Sequence, residues 1–354
     1  MIREAIWKLV DGHSLTYTES FNAMEAIMRG EATPAQIGAF LAALRMKGET
    51  IEEITSFAMV MRRFCIRISP KVNGRLIDTC GTGGDHIKTF NVSTTAAFIV
   101  AGAGISVAKH GNRSVTSRSG SADALEKLGL NLNVEPKKVE EAIEKVGIGF
   151  IFAPVFHPAM KHVAGLRREL GIRTVFNILG TLSNPAFANA QVIGVYDCSL
   201  VEKISEVLRA LGLEEAMVVH GLDGLDEIST IGKTRIAWLK NGEIKTFEAS
   251  PEDFRVRKAS PNEIMVTSSE ESAELVFKIL AGQLSGDDPK VDIALVNAAA
   301  GIMVGGKAED FSYAMDLAKE SIESGAAYAK LKNLVKFYGG NGIEKLEELE
   351  TRYG

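Results

Sequence analysis

Two patterns of apolar and polar residues divide the chain into an N-terminal and a larger C-terminal part. In about the first seventy residues, apolar side chains recur at helical spacing behind residues that can cap a helix. In the segment TPAQIGAFLAAL, Thr33 can accept from a free first-turn amide, Pro34 needs no donor there, and Gln36 completes a capping box. The segment ETIEEITSFAMVMRRF has a second capping box, formed by Thr50 and Glu53. This pattern predicts a small helical domain over residues 1–74.

From Arg75 onward, short runs rich in β-branched residues alternate with helix-like segments. The runs RLIDTC, GISVAKH, IGFIFA, AQVIGVYD and EAMVVHG predict buried strands, and segments such as STTAAFIVAGAG and SLVEKISEVLRALG predict the helices between them. Strands that alternate with helices form parallel sheets covered on both faces. Residues 75–354 are therefore predicted to form a larger α/β domain, with a mostly parallel central sheet flanked by helices.

Two further segments depart from this alternation. The segment HPAMKHVAGLRREL predicts a second helical patch that packs back on the N-terminal helices, through an excursion near residues 157–184. The segment RIAWLKNGEIKTFEA predicts a two-stranded hairpin that turns at Asn241 and Gly242. After the hairpin we expect two or three helices, one of them VDIALVNAAAGIMVGG.

Composition and charge favour a small-molecule ligand. The chain has 354 residues, 46% of them hydrophobic, and a net charge of -5, so no positive field draws it to nucleic acid or to anionic lipid. Its three cysteines are scattered without CxxC spacing, as is usual in a reducing cytosol. No apolar window reaches the roughly eighteen residues of a membrane span. We therefore expect a cytoplasmic protein with neither nucleic-acid nor membrane partners.

A glycine-rich loop, CGTGGD, follows the first predicted strand. Its glycines allow successive backbone N–H groups to point at one anion, and the helix that begins at Ser93 adds its positive end. The next segment, TFNVSTT, supplies more hydroxyl and amide groups than one helix cap needs. A phosphate site is the predicted function, and a simple tight turn between strand and helix is the alternative.

The familiar nucleotide motifs do not fit this loop. A dinucleotide fingerprint that starts at Gly81 would need glycine or alanine where His86 stands. The fragment GKT near residue 233 resembles the end of a Walker loop, but the first glycine of that motif would fall at Glu227. The sequence thus favours a phosphorylated ligand other than NAD or a P-loop nucleotide.

A second polar segment, KHGNRSVTSRSGSAD, follows the next predicted strand. It carries three cations, Lys109, Arg113 and Arg118, among hydrogen-bonding side chains. A solvated basic loop is the alternative for this segment alone. Because ligands of open α/β sheets bind outside the carboxyl ends of the strands, two such neighbouring loops predict one diphosphate-sized site.

Together, GTGGD, NVST, KHGNRSVTS, LRRELGIRTVFN and DGLDEIS resemble the anthranilate phosphoribosyltransferase family of tryptophan biosynthesis, over essentially the whole chain. The resemblance implies a homodimer with a nucleoside phosphorylase-type fold. It also implies transfer of ribose 5-phosphate from phosphoribosyl pyrophosphate to the amino group of anthranilate, with Mg²⁺.

The resemblance assigns residues of both loops to the two substrates. The residues implied for phosphoribosyl pyrophosphate are Gly81, Gly84, Asp85, Thr89, Asn91, Val92, Ser93, Thr94, Lys109, His110, Gly111, Asn112, Arg113, Ser114, Val115, Thr116, Ser117 and Ser121. Those implied for anthranilate are Gly81, Asn112 and Arg167, with the arginine facing the carboxylate.

The resemblance also implies that Ser93, Asp226 and Glu227 bind magnesium. Magnesium and Lys109 suit this reaction, because loss of pyrophosphate sends negative charge onto the leaving group. No residue is assigned as a general base, since an aromatic amine attacks as the neutral species and positioning can supply much of the rate. An ordinary acidic loop remains the alternative for the two carboxylates.

Three positions depart from the family pattern near the expected acceptor path. Thr181 and Ser183 stand where the family usually has the proline and threonine of LGPLTNP, and Gly165 stands where a bulkier or prolyl residue is common. Because of these changes, the resemblance does not determine the shape of the anthranilate channel. A pyrimidine nucleoside phosphorylase and a nucleic-acid-binding relative of this fold are the alternative functions.

Overall fold

The computed structural model describes residues 2–84, 87–114 and 119–353. Its first four helices are α1 (Ile2–Val10), α2 (Tyr17–Met28), α3 (Pro34–Lys47) and α4 (Ile51–Arg63). The helices α3 and α4 begin with the predicted capping boxes, at Thr33 and Thr50, and α2 begins with a third at Thr16. Each box satisfies backbone groups that the first turn of a helix leaves unpaired.

A seven-stranded sheet lies at the centre of the remaining chain. Its strands are β1 (Leu76–Gly81), β2 (Ser106–Gly111), β3 (Ile148–Phe152), β4 (Ala190–Gly194), β5 (Glu215–Gly221), β6 (Thr234–Lys240) and β7 (Glu243–Ala249). The strand order is β3-β2-β1-β4-β5-β6-β7, and the first five strands are parallel. The mostly parallel sheet is therefore confirmed.

The last two strands form the predicted antiparallel hairpin. Asn241 and Gly242 have positive φ angles of 53° and 78°. Both central residues of a type I′ turn require such angles, and asparagine and glycine tolerate them best. The local sequence thus placed this turn correctly.

Helices cover both faces of the sheet. Apart from the connection between β3 and β4, the helices between the parallel strands are α5 (Val92–Gly102), α6 (Ser121–Lys127), α7 (Pro136–Val146) and α11 (Leu200–Ala210). The chain ends with α12 (Pro261–Ile264), α13 (Ser269–Leu280), α14 (Pro289–Val304), α15 (Phe311–Glu323), α16 (Ala326–Tyr338) and α17 (Gly342–Tyr353). In the part of the chain that the structure describes, no helix is long and apolar enough to cross a bilayer.

The expectation of two or three closing helices was wrong, because five helices of twelve or more residues follow the hairpin in the described chain. The apolar helix α14 is buried from residue 291 to its end, and it packs against α5 and α15. A helix that is apolar on all sides needs neighbours around it. Of the other closing helices, α15 packs directly on α14, whereas α13 and α16 pack on α5.

Between β3 and β4 the chain makes a helical excursion. It comprises α8 (Ala153–Phe156), a 3₁₀ turn (Pro158–His162), α9 (Ala164–Leu170) and α10 (Phe176–Leu182). The 3₁₀ turn contacts α2, α9 contacts α3, and α10 contacts α4. One apolar core runs from these helices to one face of the sheet. The boundary at residue 74 stays a prediction.

Candidate active site

The loop between β5 and β6, residues 222–233, contains Asp226 and Glu227 and is called the acidic loop. It folds back over the carboxyl ends of β1 and β4. A Cβ atom on Gly81 would lie 2.4 Å from Asp226 Oδ2, and one on Gly194 would lie 1.5 Å from the Asp226 carbonyl oxygen. Both distances are far inside van der Waals contact. The sequence suggested Gly81 as part of an anion cradle, whereas the structure shows that its missing side chain makes room for Asp226.

The two acidic residues contact the glycine loop and the start of α5. Asp226 Oδ2 accepts a 2.7 Å hydrogen bond from Gly83 N, and Glu227 Oε1 accepts a 3.2 Å bond from Ser93 N. The glycine loop and the start of α5 therefore meet acidic residues that are 143 and 134 positions away in the sequence.

Lys109 lies at the same edge and is 3% exposed. Its Nζ donates to the Thr79 carbonyl oxygen and, over 3.4 Å, to Ser93 Oγ. Burial lowers the pKa of this ammonium, while the carboxylates of Asp78 and Glu227 oppose that shift. The cation is thus directed toward the start of α5, where the phosphate site is predicted.

Asp78 lies beneath both loops and is fully buried. It accepts a 3.1 Å hydrogen bond from His110 N and a 3.3 Å bond from Gln191 Nε2. Burial raises the pKa of its carboxyl to about 6, and the positive charge of Lys109 opposes the shift. Sequence reasoning missed Asp78 and Gln191, which link β1 to β2 and β4.

The chemistry of this edge fits magnesium. The described residues contain no group of three or more His, Cys, Asp or Glu side chains that could hold a metal by themselves. Magnesium is usually bound by one or two carboxylates together with water and substrate phosphates. Asp226, Glu227 and the hydroxyl of Ser93 lie next to the glycine loop and could supply such a partial set of oxygen ligands.

Arg113 contacts helix α6. Its Nη1 atom lies 3.1 Å from Asp123 Oδ1 and 2.7 Å from Glu126 Oε2, and its Nη2 atom donates to Glu126 over 2.8 Å. Asp123 also accepts from the backbone N–H groups of Ser114 and Gly120, over 3.0 and 2.9 Å. The guanidinium therefore anchors the loop to α6, and its contact with the donor stays a prediction.

Asn91 joins the two predicted loops. Its Nδ2 donates to the Ser119 carbonyl oxygen over 3.2 Å, and its Oδ1 accepts 2.7 Å from Ser272 Oγ. Val92 and Thr94 are buried, with 1% and 0% exposure, and the Val92 N–H donates to the Phe90 carbonyl oxygen over 2.7 Å, so their contact with the donor stays a prediction.

Further predicted residues lie around this edge or outside the described chain. Thr89 forms an isolated bridge with Met265. The hydroxyl of Ser121 donates to the Asn112 carbonyl oxygen over 3.4 Å and fills the space beside Gly111. Asp85, Val115, Thr116, Ser117 and Arg118 lie outside the described residues.

Two buried histidines lie side by side next to α10. His110 and His157 have ring centroids 5.1 Å apart, and the Nε2 atom of each has no hydrogen-bond partner among the described residues. His110 Nδ1 lies 3.1 Å from the carbonyl oxygen of Gly180. Burial lowers the pKa of both imidazoles, that of His157 to about 4, so both are neutral at pH 7.

Arg167 is half-buried on α9. Its guanidinium lies over the ring of Phe176 at 5.6 Å, and burial lowers its pKa. Within the described chain it forms no ion pair, whereas its neighbour Arg168 is exposed. A partly desolvated arginine without a carboxylate partner among the described residues suits an anionic ligand.

Two of the residues that depart from the family pattern, Thr181 and Ser183, direct their hydroxyls to the backbone of α10. Thr181 Oγ1 donates to the Ile178 carbonyl oxygen and Ser183 Oγ donates to that of Leu179, each over 2.7 Å. A Cβ atom on Gly165 would meet nothing within 4 Å. Neither hydroxyl therefore needs a ligand to satisfy it.

Arg173 is another residue that sequence reasoning missed, although it lies in the quoted segment LRRELGIRTVFN. Its guanidinium donates to the Gly84 carbonyl oxygen and lies over the Tyr196 ring at 4.3 Å. It connects the helical excursion to the glycine loop. No spacing in the sequence predicts a contact between residues so far apart.

We expect His157 to make the stability of the fold depend on pH. Its pKa is about 4 in the folded chain against an ordinary value of 6.5, so the unfolded chain binds more protons between these values. The contribution of His157 to the free energy of unfolding is complete above pH 6.5 and is lost as the pH falls toward 4. The loss is at most about 3 kcal/mol. Urea titrations across this window should show a flatter pH dependence for His157→Gln than for the parent protein. An equally steep dependence would contradict this role.

The arrangement of helices, sheet and edge loops defines a class of protein. Residues 3–65 match the helical bundle domain of a glycosyl transferase family, and residues 73–328 match the a/b domain of that family. The chain is a glycosyl transferase of this two-part type.

Comparison with individual proteins narrows the class. The chain is 51% identical over 337 residues to the anthranilate phosphoribosyltransferase of Acetivibrio thermocellus, covering 95% of this chain and 96% of that protein. It is 48% identical over 340 residues to that of Methanocorpusculum labreanum, covering 96% and 99%. The chain belongs to the anthranilate phosphoribosyltransferase family.

Solved structures agree in fold. The crystal structure of anthranilate phosphoribosyltransferase from Thermus thermophilus has a TM-score of 0.88 at 40% identity, covering 94% of this chain and 99% of that one. The Saccharomyces cerevisiae enzyme in complex with phosphoribosyl pyrophosphate and Mg has a TM-score of 0.87 at 28% identity, covering 95% and 97%. The α/β fold with a small helical domain is confirmed.

Proposed function

We propose that the edge formed by the glycine loop, Lys109 and the acidic loop binds phosphoribosyl pyrophosphate. The reaction is transfer of the 5-phosphoribosyl group to the amine of anthranilate, with release of pyrophosphate. The observation that carries the proposal is the convergence of Gly83, Ser93 and the pair Asp226 and Glu227 through direct hydrogen bonds.

The donor side of the site is built to accept negative charge. The N–H groups of Gly83 and Ser93 donate to Asp226 and Glu227, while Lys109 brings a buried cation to Ser93 at the positive end of helix α5. Such groups stabilise the charge that grows on pyrophosphate as the glycosidic bond breaks.

Mg²⁺ is the proposed cofactor, held by Asp226, Glu227 and Ser93. The Saccharomyces cerevisiae relative with Mg bound supports this. When bound, the ion neutralises charge on the leaving pyrophosphate. The two carboxylates alone would repel a diphosphate, so their place beside the donor loop agrees with a cation between them and the substrate.

The acceptor side is proposed to lie near Asn112, Arg167 and the two buried histidines. Arg167 can bind the anthranilate carboxylate, because its guanidinium is partly desolvated and forms no ion pair with another described residue. The neutral imidazoles of His110 and His157 contribute unpaired Nε2 atoms without adding charge. Positioning of the neutral amine is then sufficient for attack, and no general base is assigned.

We further propose a cytoplasmic homodimer. Trp7, Val10 and Met46 are 78%, 69% and 89% exposed on α1 and α3, two helices that pack together, and tryptophan and methionine are enriched at protein interfaces. All three cysteines are free, which agrees with a reducing compartment. Light scattering of the purified chain would test the dimer, and a monomeric mass would contradict it.

The decisive experiment follows the fluorescence of anthranilate. With phosphoribosyl pyrophosphate and Mg²⁺ present, the fluorescence should fall as anthranilate is consumed, and a chelator or omission of the donor should stop the decrease. Persistent fluorescence with a folded protein would contradict the proposal. Phosphorolysis of a pyrimidine nucleoside, or salt-dependent retention on DNA, would favour the two alternatives instead.

Arg167→Ala should weaken anthranilate binding selectively. Loss of a charge-assisted contact to a carboxylate should raise the Michaelis constant for anthranilate by about tenfold to a hundredfold. The constant for phosphoribosyl pyrophosphate should change by less than about twofold. Arg168→Ala on the exposed side of the same helix is the matched control and should alter neither constant. Equal effects of Arg167→Ala on both substrates would refute the carboxylate contact.

A further inference from the structure

The acidic loop is held from below by a side chain of the buried helix α14. Asn297 is 2% exposed, and its Oδ1 accepts a 2.9 Å hydrogen bond from Ile228 N. Its Nδ2 donates 3.0 Å to the carbonyl oxygen of Ile228. One amide thus binds both backbone polar groups of the residue that directly follows Glu227.

The loop depends on such support because it is irregular. No helix or strand is assigned between β5 and β6 in this fully described segment, so its buried backbone groups cannot pair within a regular element. On its far side, Ser229 N donates 2.9 Å to Thr234 Oγ1. Asn297 supports the loop at the residue next to the two carboxylates.

The amide is itself held in one orientation. Its Nδ2 also donates 2.9 Å to the Ile293 carbonyl oxygen, one turn earlier in α14. That helix contacts β1, β4 and β5, whose carboxyl ends surround the site. Asn297 therefore fixes the acidic loop to a buried helix that packs on the sheet, and not to a residue at the surface.

We propose that Asn297 is a positioning residue, which sets the place of Asp226 and Glu227 for magnesium and the donor diphosphate. It acts through the backbone of Ile228 and touches neither substrate. The inference rests on the proposed binding of magnesium by these two acids. Groups that orient metal ligands from behind typically change metal affinity or activity about tenfold to a hundredfold when they are replaced.

An amide is the side chain that this position requires. Asparagine accepts from one backbone group and donates to the other. An aspartate of the same shape can accept from Ile228 N, but its carboxylate cannot donate and would face the Ile228 carbonyl oxygen. A leucine of similar volume satisfies neither group. Both substitutions should release the loop without opening a large cavity.

The test compares Asn297→Asp and Asn297→Leu with the parent protein and with Ser321→Ala. Ser321 is 3% exposed and donates 2.7 Å to the Ile99 carbonyl oxygen, in the same helical layer but without a hydrogen bond to the acidic loop. Calorimetry with Mg²⁺ and inorganic pyrophosphate should give a dissociation constant about tenfold to a hundredfold higher in the Asn297 variants. Ser321→Ala should match the parent protein.

Two further measurements separate positioning from general damage. Amide hydrogen exchange of the segment 223–231 should be faster in the Asn297 variants only. The Michaelis constant for phosphoribosyl pyrophosphate should rise, while that for anthranilate changes by less than about twofold. If either variant is unstable, the other is measured alone, at a temperature where it is folded.

Unchanged affinity for Mg²⁺ and pyrophosphate in a folded Asn297 variant would overturn the inference. An equal loss of affinity in Ser321→Ala would also overturn it, since the effect would then follow stability alone. If the parent protein itself binds no Mg²⁺ with pyrophosphate and consumes no anthranilate, the proposed function fails, and this inference fails with it. Parent activity with unaffected Asn297 variants leaves the function standing and removes only the inference.

Discussion

Replacing Asp226 by asparagine and Glu227 by glutamine together should reduce kcat/KM for phosphoribosyl pyrophosphate by about three orders of magnitude. The substitutions keep the shape of both side chains, and an amide oxygen can still accept from Gly83 N and Ser93 N. What they remove is the negative charge that would hold Mg²⁺ against the diphosphate. Initial rates across a series of Mg²⁺ concentrations would measure the loss.

The control for this prediction removes two adjacent carboxylates elsewhere. Glu347 and Glu348 are both exposed on α17, so Glu347→Gln with Glu348→Gln makes the same change in net charge far from the acidic loop. This control should retain parental rates. If the Asp226 and Glu227 double variant shows the parental dependence on Mg²⁺, these acids do not bind the metal.

Gly194→Ala should impair both folding stability and activity. The new Cβ would lie 1.5 Å from the Asp226 carbonyl oxygen, and β4 is held on both sides by β1 and β5. The acidic loop must therefore move. We expect about 3 kcal/mol less unfolding free energy, as for severe overpacking, and at least about a hundredfold lower kcat/KM.

Urea unfolding and steady-state kinetics at a temperature where the variant is folded would measure these two effects. Gly286→Ala is the matched control, because that glycine is exposed and an added Cβ meets nothing within 4 Å. A Gly194→Ala protein with normal stability would show that Asp226 does not occupy the space beside Gly81 and Gly194, at the ends of β1 and β4.

Local patterns in the sequence predicted much of the fold. The capping boxes at Thr33 and Thr50 and the turn at Asn241 and Gly242 are confirmed, because each depends on residues within four positions of one another. The number of C-terminal helices was not predicted correctly. Among the closing helices, α15 packs on α14, whereas α13 and α16 pack on α5 and on helices between the strands. Most helical stability in proteins comes from such packing, and packing partners are not visible in a local pattern.

The residues proposed for the site divide in the same way into those that the sequence indicates and those that it does not. The glycine loop, Lys109 and the acidic pair could be identified from their chemical types and from family resemblance. Asn297 could not, because an asparagine within an apolar helix has no sequence signal for what it binds. Its partner Ile228 lies 69 positions away in the chain.

The sequence by itself determined the alternation of strands and helices and the hairpin turn, and it indicated the loops that are proposed to bind phosphate. Only the tertiary structure decided that Gly81 and Gly194 form a notch for Asp226, that Arg113 binds α6, and that Asn297 holds the acidic loop. The physical reason is the distance along the chain over which each interaction acts. Propensity, capping and turn geometry act between neighbouring residues, whereas close approach and buried hydrogen bonds depend on how distant segments pack.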